Sequence, residues 1–162
     1  MPTIRPGELN SFMLKLTVRK YKELQIKLPE YLKGFIYSEF YNKYTPSDLY
    51  DRQYRIIDSI MVSNIKVSGV TVSMEIYLDP DKVSYDPSIW YYPSGAFTYI
   101  KGDDSETVFE NMRQGIHGSS DFEVTDGDFW QAFVDSVNHG GIYDLFADFK
   151  RYLSSTAGLT IK

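Results

Sequence analysis

Cysteine is absent from the chain. That excludes disulfides, zinc–thiolate centres and thiol catalysis together. Histidine occurs only at His117 and His139, without His-x-x-x-His or Glu-x-x-His spacing, so a histidine-based metal pair has little to build on. No run approaches 18 apolar residues, so no membrane-spanning helix is expected. Residues 1–10 lack the apolar stretch of a secretory signal. A concentrated basic surface is missing as well: 17 basic against 22 acidic side chains leave a formal net charge of −5. That argues against sequence-specific binding of nucleic acid.

Aromatic residues are abundant. Tyr outnumbers Leu by 14 to 11, and with 10 Phe and 2 Trp the aromatic share reaches 16%. Disordered chains are poor in such residues. An apolar share of 43% over 162 residues is enough for one core. The expectation is therefore a single domain over residues 1–162. The net charge conceals a polarity. Residues 1–74 carry 11 basic and 7 acidic side chains, whereas residues 75–148 carry 3 and 15; the last 14 residues add three positive charges. Two readings stand open: a solubilising acidic face, or a subunit whose basic part meets the acidic part of the next copy.

Periodicity points to an α+β fold. Phe12, Leu14, Leu16 and Val18 alternate with Met13, Lys15, Thr17 and Arg19, the pattern of a half-buried strand. Pro29 then suits the first turn of a long N-terminal helix over residues 30–43, burying Leu32, Phe35, Ile36 and Phe40. Thr45-Pro46 ends it. Val70, Val72, Met74, Ile76 and Leu78 alternate cleanly, and Ser68-Gly69 before them predicts the two-residue turn of a central β-hairpin in an antiparallel sheet. Residues 79–104 hold three of the seven prolines and predict a long loop with a short strand near Tyr99. A helix is expected from Ser105 to Gln114. The C-terminal third predicts two helices: one buries Phe129, Trp130, Phe133, Val134 and Val137, the other Ile142, Leu145, Phe146, Phe149 and Leu153. His139-Gly140-Gly141 breaks them.

Motifs for chemistry are sparse. There is no nucleophile elbow, Walker loop or dinucleotide fingerprint. Asp121 to Gly127 begins like a calcium loop, but Gly stands one place late and Ala132 occupies the position of the bidentate Glu. Asp103, Asp104 and His117 could serve a metal-dependent hydrolase only if the fold gathered them. The aromatic run Trp90, Tyr91 and Tyr92, with Phe97 and Tyr99, is the candidate interface. Aromatic side chains with polar tips suit a glycan platform, a protein interface or the chain's own core.

Three segments carry a family resemblance: Leu28-Pro29-Glu30-Tyr31-Leu32; Tyr44-x-Pro46-x-x-x-Tyr50-x-Arg52; and Gln53-Tyr54-Arg55-Ile56-Ile57-Asp58-Ser59-Ile60. Gly115-Ile116-His117-Gly118 adds a fourth, weaker one. Together they resemble the head–tail connector and tail-completion proteins of tailed bacteriophages, a group that includes minor capsid and neck proteins. Gln53-Tyr54 departs from that family's Thr-Gly pair. The resemblance implies an α+β subunit in which Tyr44, Pro46, Tyr50 and Arg52 form a structural turn. It implies a homo-oligomeric ring at the portal–tail junction or tail end, in contact with portal, connector or tail-tube proteins. Such a subunit works in the virion after synthesis in the bacterial cytoplasm, performs no reaction and needs no cofactor or metal. Its one contact with DNA would be as a passive channel lining. The competing expectation is a ligand- or glycan-binding module using the aromatic loop.

Overall fold

In the computed structural model, which describes residues 6–42, 55–83, 88–91, 94–95, 97–100, 106, 110 and 129–158, the N-terminal segment is buried at every fourth residue. Leu16, Lys20, Leu24, Leu28, Leu32 and Ile36 all lie inside. Intervals of four keep side chains on one ridge of a helix, and Pro6–Ile36 forms a single α-helix, α1. The strand expected at Phe12–Val18 is therefore helical; of its four alternating apolar residues only Leu16 is buried. Pro29 does not start a helix but sits within one. An interior proline costs about 3 kcal/mol, and here the ridge continues past it from Leu28 to Leu32.

Tyr41, five residues after Ile36, is also buried, while the side chain of Phe40, expected on the inward face, lies outside the described residues. Tyr37–Tyr41 is a π turn, closed by the Asn42 N–H on the Tyr37 carbonyl at 2.8 Å. The wider turn matches the five-residue step.

Arg55–Asp58 forms a one-turn helix, α2, with Ile56 and Ile57 buried. Ser59, fully buried, turns its hydroxyl back onto the Ile56 carbonyl at 2.7 Å. That backbone bond, expected of a serine at a helix-to-strand junction, releases the chain into an antiparallel arm. Its strands are β1 (Ile60–Val62), β2 (Lys66–Ser68), β3 (Thr71–Ser73) and β4 (Ile76–Leu78), with β1 on β4 and β2 on β3. The expected hairpin is present with its turn one residue later: Ser68 pairs with Thr71, and Gly69-Val70 is the loop. Gly69 takes φ +59°, which only glycine adopts readily and which a two-residue hairpin loop requires.

The two ladders are out of step by one residue. Val67 lies opposite Val72. Farther down, bonds from the Ser63 N–H to the Glu75 carbonyl and from the Asp79 N–H to the Ser59 carbonyl set Ile60 opposite Leu78. Ser63-Asn64-Ile65 thus faces Met74-Glu75, a bulge with one extra residue on the first strand. The Ser63 hydroxyl fills the gap by accepting the Glu75 N–H at 2.9 Å.

Residues 79–104 carry a one-turn helix, α3 (Pro80–Val83), and a β-hairpin of β5 (Ser88–Tyr91) and β6 (Phe97–Ile100); β6 is the short strand expected near Tyr99, while α3 and β5 stand where loop was expected. β-rich aromatic residues on both arms favour strands over loop. Of the helix expected over Ser105–Gln114, Glu106 and Glu110 are described, and both are helical. The C-terminal pair forms as expected: α4 (Phe129–Val137) and α5 (Leu145–Ala157).

The chain divides into two compact units. The first draws on Met1–Tyr31, Val62–Ile76 and Phe133–Lys162, the second on Leu32–Met61 and Tyr77–Ala132. Leu16, Leu24, Leu28, Val72, Phe133 and Leu153 are buried in the first; Leu32, Ile36, Tyr41, Ile56, Ile57, Val83 and Phe129 in the second. Among the described residues no helix is long and apolar enough to cross a membrane.

Candidate functional site

The first unit holds a buried cation. Lys20 lies on the inward ridge of α1 with its side chain 3% exposed. Its Nζ stands 2.7 Å from Asp148 Oδ2 on α5 and 3.2 Å from Glu23 Oε1 one turn along α1. It also lies 5.4 Å from the centre of the Tyr152 ring, within cation–π range. Lys27 pairs with Glu23, and Arg151 reaches Asp148 at 3.8 Å. Burial draws the Lys20 pKa down, but Asp148 and Glu23 more than offset this and hold the ammonium above its ordinary value. Bonds from Lys27 and Lys20 hold Glu23 below its ordinary value. A lysine so protonated is no nucleophile at neutral pH, since that role needs a lowered pKa. The cluster therefore acts as an electrostatic tie between α1 and α5.

The turn between α4 and α5 is built around Asp144. One carboxylate oxygen accepts the Ala147 N–H at 2.8 Å and caps α5; the other accepts the Gly140 N–H at 2.7 Å and meets His139 Nδ1 at 3.0 Å. The bonds from Ala147 and Gly140, then His139, hold its pKa below the ordinary value. Tyr143, next to the cap, stacks on Tyr31 with ring centres 4.7 Å apart. Gly141 packs against the end of α4. A Cβ there would fall well inside contact distance of the Asp135 and Ser136 carbonyl oxygens. Gly141→Ala is accordingly expected to destabilise the fold by about 3 kcal/mol, read as a lowered urea midpoint at unchanged slope. A midpoint equal to that of the parent chain would contradict this packing.

This corner corrects the sequence expectation for α5. Ile142 and Phe146, expected inside, are 93% and 57% exposed. The helix starts at Leu145, so the inward ridge is Leu145, Phe149 and Leu153; Ile142 precedes the helix and shares its spacing of four with Phe146, Lys150 and Ser154. The missed signal was Asp144, a strong N-cap residue that places Ile142 outside. Beside this outward row, Ala147, Lys150, Arg151, Ser154 and Ser155 line a shallow groove of about 710 Å³.

The candidate aromatic residues fall on the β5–β6 hairpin: Tyr91 pairs with Phe97, Trp90 with Thr98 and Ile89 with Tyr99. The backbone thus brings Trp90, Tyr91, Phe97 and Tyr99 into one ribbon, while Tyr92 lies outside the described residues. So do Tyr44, Pro46, Tyr50 and Arg52, the candidate turn, and Asp103, Asp104 and His117. Among the described residues, no three His, Asp or Glu side chains gather to hold a metal ion. Comparison with protein-family models, with curated proteins and with solved structures finds no match.

Proposed function

We propose that this chain is a structural subunit of a tailed-bacteriophage virion, a head–tail connector or tail-completion protein that assembles into a ring. One observation carries the reading. Of the segment with the family resemblance, Arg55 to Ile60 runs through α2 and the buried Ser59 straight into β1 of a β-hairpin arm. Leu28-Pro29-Glu30-Tyr31-Leu32, the first segment of the resemblance, lies within the long helix α1. A subunit of this kind works by geometry: one surface meets a different surface of the next copy, and the rotation closes a ring. The remaining faces meet portal, connector or tail-tube proteins.

The test combines light scattering and negative-stain imaging of the purified protein, alone and with its connector and tail neighbours, with the protein content of virions. Rings or neighbour complexes, and presence in virions, are expected. A strictly monomeric protein that engages neither neighbour and is missing from virions overturns the proposal.

A further inference from the structure

We propose that the outward face of α5 is a docking surface for the acidic segment at residues 75–110 of a second copy of this chain. The inference rests on the ring reading above and names the surface by which copies would meet.

The face has two parts. Ile142 and Phe146 put large apolar side chains into water at the start of the helix. Neither belongs to the buried ridge, and adjacent exposed apolar groups of this size mark contact sites. One and two turns later the same face becomes cationic. Lys150 and Arg151 line the groove with Ala147, Ser154 and Ser155, and the Arg151 side chain is 75% exposed. An apolar anchor beside a cationic groove fits a partner with an apolar contact and a run of carboxylates.

The chain contains such a run. Residues 75–110 carry eight acidic and two basic side chains, and Glu75, Asp81 and Glu106 within them are exposed. The same segment includes Trp90, Tyr91, Phe97 and Tyr99 on the β5–β6 ribbon. Cationic face and acidic segment are different surfaces, so their pairing between copies is heterologous, the kind that closes rings or extends filaments. Complementary charge of this sort sets register and partner choice.

The test uses the full chain in sedimentation velocity at low and high salt. Self-association is expected, weaker at high salt as surface charges are screened. Ile142→Ser with Phe146→Ser, Lys150→Glu with Arg151→Glu, and Asp81→Lys with Glu106→Lys should each weaken it by at least about tenfold. All six side chains are solvent-facing or line the open groove, and unchanged circular dichroism and melting temperature serve as the control; because Arg151 also reaches Asp148 at 3.8 Å, Lys150→Glu alone is the control variant for the cationic pair. Mixing the Lys150→Glu/Arg151→Glu protein with the Asp81→Lys/Glu106→Lys protein should restore association.

A monomeric parent chain, unaltered association in all three variants, or a charge swap without rescue overturns the inference. So does an α5 variant that still self-associates but no longer binds a connector or tail neighbour, which would assign the face to that neighbour and leave the ring reading standing. A parent chain that neither self-associates, binds those neighbours nor occurs in virions removes both.

Discussion

Lys20→Ala is expected to lower stability by about 3 kcal/mol, measured by urea denaturation at neutral pH. The loss has a specific origin. Asp148 Oδ2 is buried, and the Lys20 ammonium at 2.7 Å is the group that compensates its charge. Glu23 keeps Lys27 when Lys20 is removed, whereas Asp148 keeps only the exposed Arg151 at 3.8 Å, so the poorly compensated charge is that of Asp148. Replacing both partners removes the charge instead of exposing it. Lys20→Met with Asp148→Leu should therefore recover most of the loss, whereas Lys20→Met alone should not. A loss below about 1 kcal/mol for the single change, the value of a surface pair, would show that the cluster is solvated. The pH dependence has a matching sign. The folded pKa of Lys20 lies above the ordinary 10.5, so the tie is fully present below that value and is lost as pH rises through the higher, folded one. Lys20→Met should flatten this alkaline decline.

Leu32→Ala should cost about 3 kcal/mol by opening a cavity in the second unit. Leu32 and Ile36 are fully buried, 0% exposed, one turn apart just before the π turn. Truncating Leu32 removes both apolar contact area and the volume that its neighbours close upon. Ile26→Ala on the same helix, at a position 72% exposed, should change stability by less than about 0.5 kcal/mol. Denaturation of the two variants side by side separates burial from helix propensity. Equal losses would mean that the ridge of fours does not define the core.

Lys20 also explains the main misreading of the sequence. A buried ridge at every fourth residue is the plainest helical signal, yet a lysine stands at its second place and hides it from any hydropathy pattern. The alternation of Phe12, Leu14, Leu16 and Val18 then looks like a strand, and Pro29 looks like a start. Nothing local identifies Lys20 as internal, because its partner Asp148 is far along the chain. The β-arm was more legible, since one strand of it, Val72 to Leu78, keeps strict alternation. The other strand carries its own trace of the bulge: Ile60 and Val62 are even-numbered, Ile65 and Val67 odd. The switch in parity marks the extra residue, and it becomes informative only once the partner strand is known. For the docking face, Asp144 as N-cap was sufficient to move Ile142 out of the helix, and the ridge of Leu145, Phe149 and Leu153 then leaves Phe146 outside. The β5–β6 ribbon was hidden by the prolines around it, which mark turns equally well in loops and in hairpins.

The π turn bears on which lengths of chain this fold can accept. From Leu16 to Ile36 the buried positions keep a count of four, and the buried Tyr41 stands five residues beyond Ile36. That is the spacing of an ordinary helix with one amino acid added, the surplus being taken up by the wider turn. Ser38, exposed, with its hydroxyl turned back onto the Phe35 carbonyl within its own turn, lies off the ridge. A chain one residue shorter at that point would bring Tyr41 into the count of four that runs from Leu16 to Ile36, so natural versions of this protein lacking that residue should fold alike.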